Sequence, residues 1–113
     1  MERLLVMNGQ KIIQTQNPRS KDWEDTKVVP HTSVKPGFYY LDSAQLADRT
    51  IASDGQFVHK DKKFLYQQCG MQLVKHELSA FANAPAEGSV GQVRYQKGNA
   101  SVESLKSVRK LKL

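Results

Sequence analysis

"DGQFVHKDKKFLYQQCGMQLVKHE", residues 54–77, is the stretch on which the fold turns. Aromatic and β-branched residues alternate with polar ones in runs of strand length. Turn-forming clusters at Asp54-Gly55, Lys60 to Lys62 and Cys69-Gly70 separate them. The pattern predicts an antiparallel meander of short strands. Phe57, Phe64, Tyr66 and Leu73 are the expected inward side chains, and a register shift of one residue would substitute Val58, Leu65 and Val74.

Upstream, "LLVMNGQKII" (residues 4–13) places Asn8-Gly9 between two apolar runs. A two-residue type I′ turn needs positive φ at both central positions, which Asn-Gly tolerates best, so Leu4 to Met7 should pair with Lys11 to Gln14. Residues 16–22 read as a loop leading to Trp23, an indole expected to anchor over the core edge. Pro36-Gly37 turns the chain into a strand at Phe38 to Leu41, after which either Asp42 or Ser43 caps a short helix through Ala47 or the strand continues irregularly. Downstream, "LSAFANAPAEG" has room for barely two helical turns before Pro85. "VGQVRYQKGNASV" reads as a closing hairpin reversing at Lys97-Gly98-Asn99.

The 113 residues suffice for one core. Residues 1–105 are read as a single β-rich domain and 106–113 as a basic tail or edge strand. Many short strands with Gly-containing turns predict a mainly β fold, either a small antiparallel barrel of SH3-like or OB-like type or a bent meander, with one or two short helices. No apolar run approaches the ~18 residues of a membrane span, and the opening apolar run is too short for a secretory signal. The expectation is a cytoplasmic protein without a membrane partner.

Little in the chain points to catalysis. The single Cys69 and the dispersed His31, His59 and His76 lack metal-ligand spacing, and no glycine loop precedes a helix to cradle phosphate. No cofactor and no metal is implied. His76-Glu77 is the most site-like pair, yet neighbours on a strand point to opposite faces, so His76 is expected to bond a backbone group. A hydrolase using Cys69 and His76 is the remote alternative to a non-enzyme.

Charge points elsewhere. Seventeen Lys and Arg against eleven Asp and Glu give +6, which favours anionic partners. Lys60, Lys62 and Lys63 crowd one turn, and Lys75, Arg94 and Lys97 could complete one groove on a small barrel. Tyr39, Tyr40, Tyr66 and Tyr95 are candidate stacking faces for single-stranded bases, and DNA, single-stranded or duplex, is the anionic partner this surface suggests.

Finally, "QQCGMQLVKHELSAF" and "VGQVRYQKGNASV" together resemble the KfrB domain of plasmid-encoded proteins. The positions carrying the likeness are Gln67, Gly70, His76, Glu77, Gly91, Val93, Tyr95, Gly98 and Val102, with Glu77 standing where Asp is more usual. The resemblance implies a non-catalytic accessory of plasmid segregation, maintenance or conjugation that binds partner proteins of the same system. It supplies no catalytic residues. Nucleic-acid binding through the basic β-surface is the alternative reading.

Overall fold

Asn8 and Gly9 adopt φ of 51° and 74°, the two positive angles a type I′ turn demands. They join β1 (Glu2–Met7) to β2 (Gln10–Gln16), with Leu5 opposite Ile12 and Val6 opposite Lys11. The computed structural model describes residues 2–30 and 34–104; the 106–113 segment read as a tail or edge strand lies outside them. β3 (Trp23–Pro30) adds to β2, and β4 (Gly37–Tyr39) adds to β1, giving a four-stranded sheet ordered β3-β2-β1-β4.

β3 is an edge strand, which is where Pro30 can be tolerated. Its pairing with β2 steps from Ile13–Lys27 to Gln14–Asp25, so Thr26 is an extra residue, a bulge whose hydroxyl donates to the Ile13 carbonyl.

The second sheet holds β5 (Gln45–Leu46), β6 (Ser53–Lys60), β7 (Phe64–Cys69), β8 (Gln72–Glu77), β9 (Val90–Gln96) and β10 (Asn99–Ser104), ordered β10-β9-β6-β7-β8-β5. The meander is present as β6, β7 and β8. Gly55, however, lies inside β6 rather than in a turn: a Cβ there would stand 1.9 Å from the Gln68 carbonyl oxygen, so only glycine permits the approach of β7. The expected helices shrink to 3₁₀ turns at Leu41–Ser43 and Leu78–Ala80, and neither has a side-chain cap.

Neither sheet closes into a barrel. The second curls until Phe81, just past β8, meets Ala100 of β10 in one parallel bridge, and a single rung does not make a ladder. The bent meander is therefore the architecture, doubled by a second sheet packed on it.

Both proposed sets of inward residues are partly right, because β6 and β7 are covered on both faces. Val58 and Tyr66 join Leu4, Val6, Val34, Tyr39 and Leu41 between the sheets, with Phe64 and Leu73 at the margin. Phe57, Leu65 and Val93 form a second core inside the curl with Leu78, Phe81 and Tyr95. Consecutive residues serve opposite cores by simple strand alternation, and a bulge at Val58 then sets His59 opposite Tyr66, on the inter-sheet face that Val58 also serves. No helix among the described residues is long and apolar enough to cross a membrane.

Candidate functional site

The lysine turn is built by one carboxylate. Asp61 Oδ1 accepts the backbone N–H groups of Lys63 at 2.8 Å and Phe64 at 2.7 Å, while Asp61 N donates to the Phe64 carbonyl at 2.9 Å. The Tyr66 hydroxyl donates to the other oxygen, Oδ2, at 3.4 Å. The Lys63 carbonyl accepts from Leu78 N at 2.9 Å, which ties the turn to the segment after β8. Asp61 thus holds the loop from within, and Lys62 and Lys63 extend into solvent.

Among the described residues, no carboxylate lies within ion-pair distance of the Lys60, Lys62 or Lys63 ammonium groups, although the Lys60 backbone N–H donates to Glu87 Oε2 at 2.7 Å. Phe64 forms an apolar floor between two open clefts of about 380 Å³ each, one lined by Lys62, Lys63, Glu77, Leu78 and Ser79, the other by Asp61, Lys62, Lys63 and Tyr66. Lys75, from β8, places its ammonium 4.7 Å from the Phe64 ring centroid.

The rest of the expected groove is elsewhere. β6 and β9 are antiparallel with Ser53 opposite Val93, so Lys60 at the exit of β6 and Lys97 beyond β9 fall at opposite ends of that pair. Arg94, on β9, donates from Nε to Gln92 Oε1 at 2.6 Å, beyond the Ser53–Val93 pair at the end of β6 away from Lys60. Nor is Tyr66 a stacking platform: it is buried, and burial, helped by the Asp61 charge, pushes its hydroxyl up to about 12. Tyr39 is buried as well, and Tyr40 is the exposed tyrosine of the four.

Inside the second sheet runs a buried polar network. Gln67, fully buried on β7, donates from Nε2 to the carbonyls of Ser53 (3.1 Å), Gly55 (3.2 Å) and Gly91 (3.0 Å), stitching β7 to β6 and β9. Its Oε1 must therefore accept, and His76 Nε2 is 2.8 Å away. That fixes the proton on Nε2, and leaves Nδ1 to accept from the Tyr95 hydroxyl at 2.5 Å. Burial, with the Arg49 charge, holds the His76 imidazole down to about 4, so it is neutral.

His76 bonds side chains, not the expected backbone group, and both ring nitrogens are engaged. Cys69 is half-buried, and burial followed by the Asp54 charge pushes its thiol up to about 11. A thiolate–imidazole pair has no basis in this geometry. Glu77 turns away from His76, its Oε1 3.8 Å from Arg49 Nη2.

One cluster left no trace in the sequence. Lys11, 4% exposed on β2, crosses to the second sheet, where its ammonium lies 2.7 Å from Glu87 Oε1 and 3.2 Å from His59 Nδ1. Burial, then the Lys11 charge, depresses His59. Burial would raise Glu87, but the Lys11 hydrogen bond and charge outweigh it and hold the carboxyl low. Residues 76 apart in sequence offer no spacing rule by which to find such a pair.

Several motif positions now have physical duties. Gly70 and Gly98 take φ of 62° and 83° in hairpin turns. A Cβ on Gly91 would stand 2.9 Å from Val102 Cγ1 and 3.2 Å from Phe57. Gln67, His76 and Tyr95 form the network itself. Residues 52–104 match the sequence profile of the KfrB Domain. The chain is also similar to Protein TraB of Escherichia coli, 27% identical over 103 residues that cover 88% of this chain and 69% of that protein. The resemblance to KfrB-domain proteins therefore holds over residues 52–104, the stretch that builds both the lysine turn and the buried network.

Proposed function

We propose that this protein is a non-catalytic, plasmid-associated binding module, an accessory of plasmid maintenance or conjugation that contacts nucleic acid through the Lys60–Lys63 turn. The KfrB-domain match supports the plasmid association. The observation that carries the binding mode is the set of three lysine ammonium groups without an ion-pair partner among the described residues, on and beside a turn fixed by Asp61. Such cations neutralise phosphates without reading sequence. Phe64, capped by Lys75, offers one apolar face beside them.

Fluorescence anisotropy with labelled single-stranded and duplex DNA, at low and near-physiological salt, tests this reading. Binding should weaken as salt rises, and Lys60→Ala, Lys62→Ala and Lys63→Ala combined should weaken it further. No binding at low salt overturns the nucleic-acid mode. A second reading, docking of a plasmid maintenance or conjugation protein, is favoured by a different surface: Phe38, Tyr40, Val28 and Met7 are each exposed on the first sheet.

A further inference from the structure

The outer face of the first sheet is apolar across its whole width. Leu5 pairs with Phe38 on one side and with Ile12 on the other, and Ile12 pairs with Val28, so Phe38–Leu5–Ile12–Val28 forms one row over all four strands. At its two ends Phe38 is 52% and Val28 50% exposed, while in the middle Leu5 is half-buried and Ile12 only 9% exposed, so the ends carry most of the open apolar surface. The adjacent rung is polar and rigid: Arg3 Nε donates to Gln14 Oε1 at 2.7 Å, and Gln14 Nε2 donates to Asp25 Oδ1 at 2.8 Å. The Arg3 guanidinium is clamped 4.0 Å from the Trp23 ring and 4.6 Å from the Phe38 ring. Neither Arg3 nor Asp25 forms an ion pair among the described residues.

We propose that two copies of the chain pack face to face on this surface, about a two-fold axis running along the strands between β1 and β2. That operation sends β1 over β2 and β4 over β3 of the other copy. Leu5 then meets Ile12, Phe38 meets Val28, Arg3 lies over the other copy's Gln14 and Asp25 over its β4 end, which sets each cation one strand spacing, roughly 5 Å, to the side of the other copy's carboxylate. The row and the rung are complementary to themselves. The face also balances one positive against one negative charge on a molecule carrying +6, so it is where like-charged copies approach with least repulsion. Aligned packing of twisted sheets accommodates such a pair.

Sedimentation velocity across a concentration series reads the association, and Trp23, the sole tryptophan, reports it by emission. The dimer should tighten as salt screens the net charge, opposite in sign to the salt dependence expected of DNA binding. Val28→Asp should weaken association at least about tenfold while circular dichroism stays native. Arg3→Asp alone and Asp25→Arg alone should each weaken it, and the double exchange should recover most of the loss, since it restores self-complementarity. A monomer at every concentration and salt overturns the proposal, as does a dimer indifferent to Val28→Asp or unrecovered by the double exchange. Lys60→Ala, Lys62→Ala and Lys63→Ala should leave the dimer intact, which separates this surface from the nucleic-acid turn.

Discussion

His76 shows how one side chain can serve a fold without serving a reaction. Its Nε2 proton belongs to Gln67 and its Nδ1 lone pair to Tyr95, so protonation would force Nδ1 to donate where it now accepts. Removing the Tyr95 hydroxyl in Tyr95→Phe leaves that buried nitrogen unpaired and should cost about 1–3 kcal/mol in urea denaturation. The pH dependence follows from the same geometry. The folded value is about 4 against an ordinary 6.5, so between them the unfolded chain takes up a proton that the folded chain refuses. Stability is fully present above about pH 6.5 and falls as pH drops toward 4, by on the order of 3 kcal/mol at most. An NMR titration in which the His76 ring moves near pH 6.5 would refute the network. None of this was readable from sequence beyond the motif positions themselves: Gln67 and His76 are nine residues apart, and Tyr95 arrives only because the sheet curls.

At the level of elements, local signals served well and long-range burial did not. Asn8-Gly9 announced its hairpin through backbone sterics alone, and the 54–77 meander through alternation. The faces of β6 and β7 stayed ambiguous because alternation distinguishes inside from outside only where one face meets water, and here both are covered. The expected helix after Glu77 contracted to Leu78–Ala80 because the chain at Phe81 is taken up in the bridge to Ala100. Two predictions sit at this scale. Asp61→Ala removes two short backbone bonds from the lysine turn and should cost about 1–2 kcal/mol, with DNA affinity falling although every lysine remains. Lys11→Met removes the ammonium that meets Glu87 at 2.7 Å between the sheets and should destabilise by roughly 2–4 kcal/mol, measured by thermal unfolding.

Considered whole, the molecule keeps its two outward surfaces apart. The lysine turn lies at the β6–β7 end of the second sheet, and the apolar row crosses the outside of the first. If the three lysines each displace a counterion from a single strand, their removal should flatten the log–log salt dependence of affinity by about two. The expectation of a single groove including Arg94 and Lys97 failed for a topological reason: antiparallel neighbours β6 and β9 carry their terminal cations to opposite ends. Thr26, the extra residue on β3, has a bearing on this arrangement as well. Strands exposed at a margin invite endless addition of further chains, and one residue out of step spoils the template. Growth sideways is thereby discouraged, so crowding at high concentration should yield a finite particle rather than a fibre.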